Sequence, residues 1–249
     1  MTSVAIAAVV GLWSYTLPLG TTPQQRIASV SLTRSAVIVE TASGIRALDL
    51  ANGRVRWSRD DASLPADAAR DLVVATTSHG IVAFDSHGAL RWRSAPCAAA
   101  SRPLAIATNG DATIVLCPAE PFEEGLVDVV LVDRQGRRQS SRREGAFEQG
   151  VRFFALRKGD DRVVFEQVFE GAAMEWVTTE LEISSARTIE PSHESFIAYR
   201  NRLFGEASAL GVVCRAAPMT NFLRNGVFAV GACGGDGDPL TINANRVSR

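Results

Sequence analysis

Three aspartates hold matched places in this chain of 249 residues: Asp49, Asp85 and Asp133. Brought together, such carboxylates could share the proton transfers of a catalysed reaction. Each one, however, stands just ahead of a turn glycine, in Asp49-Leu50-Ala51-Asn52-Gly53, Asp85-Ser86-His87-Gly88 and Asp133-Arg134-Gln135-Gly136. There a carboxylate can bond the backbone of the turn that follows it. One acid per turn is the pattern of a structural part, and the three are read that way. His79 and His87 offer a conceivable metal pair, but both lie beside turn glycines, Gly80 and Gly88, and read as solvent-facing turn histidines. His193 has only Glu190 and Glu194 near it and reads the same. Gly234-Gly235-Asp236-Gly237-Asp238 alternates residues that can wrap oxygen ligands around calcium, yet lacks the spacing and bidentate glutamate of an EF-hand loop. Glu120, Glu123 and Glu124 form an acidic, proline-containing insertion that is either a partner contact or a plain solvated loop. No G-x-S-x-G elbow, P-loop or dinucleotide fingerprint occurs. The expected catalytic, cofactor-binding and metal-binding sets are therefore empty.

Charge and cysteine usage narrow the classes further. Basic and acidic side chains nearly cancel, 26 against 27, for a net charge of −1. A nucleic-acid binder usually carries a basic excess on one face, so no nucleic-acid partner is expected. Arg134, Arg137, Arg138, Arg142 and Arg143 could form a local basic patch, but the Gly, Gln and Ser beside them favour a solvated turn region. Lys158 is the sole lysine, which reads as a mark of GC-rich coding. Cys97, Cys117, Cys214 and Cys233 show no C-x-x-C spacing, which argues against a zinc site. They are either two sequence-local disulfides, Cys97–Cys117 and Cys214–Cys233, in an oxidising compartment, or four buried thiols. Val4 to Leu12 is apolar over a signal-peptide length, but no basic residue precedes it and no cleavage pattern follows. It is too short to span a bilayer, and no transmembrane segment is expected.

The elements that must carry these residues repeat. Val37 to Asp49 aligns with Val73 to Asp85 at an offset of 36 residues, with Thr, Gly, Ile, Ala and Asp recurring at matched places. Both copies run on to a glycine and a tryptophan, Gly53 and Trp57 in one, Gly88 and Trp92 in the other. The β-branched run predicts a strand, and Gly44 or Gly80 a tight hairpin. Ile45 to Leu50 is apolar on both faces and needs cover on both, as when sheets stack. The tryptophan offers a broad flat surface to a neighbouring sheet. A third copy, Val129 to Gly136, keeps the apolar run, the aspartate and the glycine but loses the tryptophan. Beyond Gly150 the signature fades while strand-like runs continue: Val163–Phe169 with Met174–Ile183, Phe196–Phe204 with Leu210–Arg215, and Gly226–Gly231 with Leu240–Val247 would make fourth, fifth and sixth units. The best helical candidate is Leu64 to Leu72.

Ala47-Leu48-Asp49-Leu50-Ala51-Asn52-Gly53-Arg54-Val55-Arg56-Trp57 resembles the tryptophan-docking motif of PQQ-like (quinoprotein-type) repeats, Ala-x-Asp-x-x-Thr-Gly-x-x-x-Trp, with Asn52 for the threonine. Ala83 to Trp92 is similar with one residue deleted, and Gly11-Leu12-Trp13 resembles the tail of a further unit. The resemblance implies an all-β fold: a single domain over residues 1–249, a β-propeller of about six four-stranded blades. It also implies that the ring is closed by an N-terminal strand, Val4 to Tyr15, completing the last blade. The family includes quinoprotein dehydrogenases, the scaffold lipoprotein of the BAM complex and sensor domains attached to kinases. Family enzymes are longer, and many carry adjacent cysteines beside the quinone, which this chain lacks. No cofactor is therefore implied. The reading is a non-enzymatic scaffold or protein-interaction module, periplasmic or extracellular, with a cytoplasmic setting as the alternative. A degenerate quinoprotein-type enzyme or a ligand-sensing domain of a larger protein is the rival function, and the central channel could hold a small ligand.

Overall fold

Each copy of the repeat folds as a four-stranded antiparallel meander. The computed structural model describes residues 12–17, 28–41, 43–98, 101–119, 126–144, 152–157, 160–168, 176–189, 196–210, 212, 214, 219–224, 228–235 and 238–246. The chain enters through β1 (Trp13–Leu17). The first sheet follows as β2 (Ala28–Leu32), β3 (Ala36–Thr41), β4 (Gly44–Asp49) and β5 (Val55–Arg59). The second sheet is β6 (Ser63–Ala69), β7 (Leu72–Thr77), β8 (Gly80–Asp85) and β9 (Leu90–Ser94). The third is β10 (Ala105–Thr108), β11 (Ala112–Pro118), β12 (Val127–Asp133) and β13 (Arg138–Glu144). The fourth is β14 (Arg152–Arg157), β15 (Arg162–Val168), β16 (Trp176–Glu182) and β17 (Arg187–Ile189). A helix, α1 (Phe196–Ala209), precedes β18 (Met219–Arg224), β19 (Phe228–Gly235) and β20 (Asp238–Arg246). These last three strands gain a fourth from the start of the chain. β1 pairs antiparallel with β20, Trp13 opposite Ala244 and Leu17 opposite Leu240.

The strands predicted to be greasy on both sides are covered on both sides. Ile45 and Ala47 of β4 join Val73, Ala75, Val82 and Phe84 in a core between the first and second sheets. Leu48 and Leu50, with Val37 and Val39, meet Val230, Ala232, Ile242 and Ala244 of the fifth. Like cores lie between the second and third sheets, around Val74, Ile106 and Val115, and between the third and fourth, around Leu116, Val129, Phe165 and Leu181. Each fully buried aliphatic side chain contributes about 1.5–3 kcal/mol, so these interfaces are where the fold gains its stability. The first strands run side by side: β18 against β2, β2 against β6, β6 against β10 and β10 against β14.

Two segments differ from expectation. Leu64 to Leu72, read as a helix, lies in β6 and the turn after it; Asp67, Ala68 and Ala69 pair with Val74, Val73 and Leu72. Ala66 and Ala68 pack into the core between the first and second sheets, and that cross-strand burial overrides the local helical preference of alanine. Conversely, Phe196 to Phe204, read as strand, belongs to α1. Phe204, Ala207 and Leu210 recur at a spacing of three and pack with Val212, just past the helix, and with Ala229 of the fifth sheet, while Arg202 and Glu206 pair one turn apart at 3.3 Å. The aromatic and aliphatic residues read as a strand-like run, but the period is helical. The described residues accordingly form five sheets, with a helix where a fifth of six units was expected.

Candidate functional site

The three recurrent aspartates do not converge. They sit in the turns between the third and fourth strands of the first, second and third sheets, each engaged with its own turn. Asp49 accepts the Ala51 N–H at 2.7 Å and the Arg56 Nε–H at 2.8 Å. Asp85 Oδ1 accepts the N–H groups of His87 and Ala89, both at 2.9 Å. Asp133 Oδ1 accepts those of Gln135 and Arg137, also at 2.9 Å, and its Oδ2 accepts from Arg137 and Gln139. Desolvation pushes each carboxyl upward. The turn N–H groups and a neighbouring arginine (Arg56, Arg91 or Arg137) outweigh it and hold all three below the ordinary 3.8. Ionised acids tied into separate turns cap backbone; they are not placed to exchange protons with one another.

The glycine of each turn is the floor on which the preceding sheet rests its indole. A Cβ at Gly53 would lie 2.7 Å from the Trp13 ring, one at Gly88 2.8 Å from Trp57, and one at Gly136 2.8 Å from Trp92. Trp13 Nε1 donates to the Leu50 carbonyl at 2.7 Å and Trp57 Nε1 to that of Ser86 at 3.1 Å. The indoles therefore link the fifth sheet to the first, the first to the second and the second to the third. Arg59, two residues past Trp57, adds a bond to the Gly88 carbonyl at 2.6 Å and lies 5.1 Å over the Phe84 ring.

The third sheet has no tryptophan, and sequence reasoning offered nothing in its place. Ser140 lies opposite Leu131 as Trp57 lies opposite Ala47. The fastening comes from Arg142, two residues on, in the position of Arg59. Its Nε donates to the Ala186 carbonyl at 3.0 Å and its Nη2 to Thr188 Oγ1 at 2.6 Å, reaching the fourth sheet. Ala186, like Gly88, takes a positive φ in the turn between the third and fourth strands. The available signal was an arginine two residues beyond the tryptophan position in both the first and third copies.

The meanders give the molecule two unlike ends. Turns joining first to second and third to fourth strands share one end, bonded from sheet to sheet: the Arg34 N–H donates to the Arg70 carbonyl at 2.6 Å, the Thr108 N–H to Asp67 Oδ2 at 2.7 Å, and Asn109 Nδ2 to Asp161 Oδ1 at 2.6 Å. Arg70 pairs with Asp111, and Arg134 lies 3.8 Å from Asp71 and 3.9 Å from Asp111. The opposite end carries the connections between sheets, including α1, and the links between second and third strands. Both disulfides lie there. Cys97 and Cys214 precede the first strands of the third and fifth sheets; Cys117 and Cys233 lie near the ends of the second strands of those sheets, with Cα–Cα distances of 5.3 and 5.5 Å. Of the two readings left open by the cysteines, the local pairing is the one present. This loop-bearing end is the candidate interaction surface.

The remaining candidates disperse. His79 and His87 are exposed at opposite ends of β8; at about 3.3 Å per residue that strand holds them roughly 20 Å apart, too far to share a metal. Gly235 pairs with Asp238, which makes Gly234 to Asp238 the link of a hairpin; Asp236 and Gly237 lie outside the described residues. So do Glu120, Glu123, Glu124, Glu190, His193 and Glu194. Among the described residues, no three His, Cys, Asp or Glu side chains gather where they could hold a metal ion. Four of the five arginines of the basic cluster are paired where they stand, Arg134 with Asp71 and Asp111, Arg137 with Asp133, Arg142 with Glu144 and Arg143 with Asp128, while Arg138 donates to Ser141 Oγ. No helix among the described residues is long and apolar enough to cross a membrane.

No family model and no curated protein matches this chain. Among solved structures it is similar to the WD40 domain of Toxoplasma gondii coronin, at 11% identity and a TM-score of 0.40 over 89% of this chain and 56% of that one. It is similar also to TolB from Acinetobacter baumannii, at 12% and 0.39 over 97% and 66%, and to BBS1N in complex with ARL6DN, at 9% and 0.37 over 98% and 65%. The chain thus spans less than two thirds of the length of each of these neighbours.

Proposed function

We propose that the five sheets are the blades of a β-propeller of the PQQ-like repeat class, that β1 closes its ring, and that the propeller is a non-enzymatic scaffold offering its loop-bearing end to another protein. The observation that carries this reading is the chain of indole and guanidinium contacts that runs from the fifth sheet to the first, the first to the second, the second to the third and the third to the fourth. A repeat whose recurrent aspartates and indoles are engaged in turns and seams leaves binding to its connections, and loops on a rigid frame are where such proteins bind. The engaged aspartates support the non-enzymatic part. Two disulfides support an oxidising setting, the periplasm or the cell exterior.

The test is site-directed photo-crosslinking in the native host. Lysine-reactive reagents are of little use on a chain whose one lysine is Lys158. A photoreactive residue at Ser78 or Ser101, on the loop-bearing end, is expected to capture a discrete protein; the same residue at Arg54 or His87, on the turn end, is not. Capture confined to the turn end, or turnover of a substrate by the purified chain, would refute the proposal.

A further inference from the structure

The two disulfides occupy equivalent places but different surroundings. In the third sheet Cys117 lies opposite Asp128, and two residues along, Val115 lies opposite Val130. In the fifth sheet Cys233 lies opposite Thr241, and two residues along, Gly231 lies opposite Asn243. Asn243 therefore stands where the third sheet has Val130. Gly231 presents no side chain across from it, which leaves the amide room to turn toward the cysteine. Asn243 Nδ2 donates to Cys233 Sγ at 3.3 Å. Cys117 instead belongs to the apolar core between the second and third sheets, with Val130 and Val132. In both pairs the partner, Cys97 or Cys214, is half-buried while the strand cysteine is 1% or 3% exposed.

Thiol–disulfide exchange needs an accessible sulfur to attack and a leaving sulfur that tolerates negative charge. Both disulfides meet the first need at the half-buried cysteine. They part on the second: a thiolate leaving at Cys117 would be stranded among valines, whereas one leaving at Cys233 would keep an amide N–H donor. We propose that Cys214–Cys233 is a thiol-exchange site, open to a dithiol reductant, and that Cys97–Cys117 is its inert structural counterpart. A thiolate of the reductant attacks Cys214 Sγ. The Sγ–Sγ bond breaks and its electron pair leaves on Cys233 Sγ, beside the Asn243 amide. The second thiol of the reductant then expels Cys214 and closes a disulfide within the reductant. Two electrons and two protons pass to the protein, and the connection between α1 and β18 is released from β19.

Graded reduction of the folded chain by dithiothreitol, with alkylation and peptide mass spectrometry at each time, reads both disulfides in one sample. Cys214 and Cys233 are expected to be alkylated first, with Cys97 and Cys117 still joined. Asn243→Val, which copies the third sheet, should slow reduction of Cys214–Cys233 by about tenfold and leave Cys97–Cys117 unchanged. Asn243→Asp, a second variant that removes the donor while keeping the shape, should slow it at least as much. Circular dichroism at the start of each course confirms that the sheets are intact. Reduction of Cys97–Cys117 first, or an Asn243→Asp protein that is reduced as fast as the parent, would overturn the assignment.

Discussion

Replacing Gly88 by alanine should destabilise the chain, whereas the same replacement at Gly205 should stabilise it. Gly88 has φ +81°, and its Cβ would lie 2.8, 2.9 and 3.1 Å from three atoms of the Trp57 indole. The left-handed backbone alone costs an alanine about 1–2 kcal/mol. The ring must also retreat by several tenths of an ångström, which weakens its contact with the turn and its bond to the Ser86 carbonyl for about 1 kcal/mol more. The total is about 2–3 kcal/mol, which for a domain of this size lowers Tm by roughly 4–12 °C. Gly205 has nothing within 4 Å of a Cβ and is exposed inside α1, where alanine gains about 1 kcal/mol of helix propensity, or roughly 2–4 °C. Denaturant unfolding followed by circular dichroism measures both, and indole fluorescence reports the displaced ring in the first. A Gly88→Ala protein as stable as the parent would refute the seam as the source of stability. A destabilised Gly205→Ala protein would refute the helix.

Other outcomes follow from the same contacts. Arg142→Ala should cost about 1–2 kcal/mol through its lost bonds to Ala186 and Thr188, while Arg138→Ala, on the same exposed strand, should be near neutral; thermal unfolding of the two side by side checks this. The folded pKa values of Asp49, Asp85 and Asp133 are depressed, so their contribution is complete above the unfolded carboxylate value of 3.8 and is lost as pH falls through the folded values. Tm should therefore hold from about pH 7 to 5 and fall below about pH 4, less steeply in an Asp85→Asn variant that starts from a lower plateau. Paired Cys97→Ser and Cys117→Ser replacement should cost about 3 kcal/mol of unfolding free energy, the loop-closure value for a separation of 20 residues, as read by urea titration under non-reducing conditions.

The parts of the fold legible in advance share a cause. Gly80, Asp85 and Gly88 shape one hairpin and the turn after it, and Trp92 follows that turn at a fixed distance, so the second copy could be read by laying it on the first. The aspartates could be read as turn caps on the same ground, since a carboxylate that bonds N–H groups two or four residues on needs nothing from elsewhere in the chain. Arg142 was read only as part of a basic, solvated turn region, because its role in the seam depends on Ala186 and Thr188, which lie 44 and 46 residues away. The fifth unit was misread because a short run of aromatic and aliphatic residues serves a strand or a buried helical stripe equally well; only the spacing of Phe204, Ala207 and Leu210 separates them.

By itself, then, the sequence determined the repeat, its hairpins, its turn caps and the greasy two-sided strands that require stacking. Each of those follows from backbone conformation and hydrogen bonding within a few neighbouring residues. Only the tertiary structure decided which cysteines join, that a helix stands between the fourth and fifth sheets in chain order, and that Asn243 rather than a valine attends Cys233. Those outcomes depend on strand register and on side chains brought together from distant parts of the chain, and no local preference encodes them.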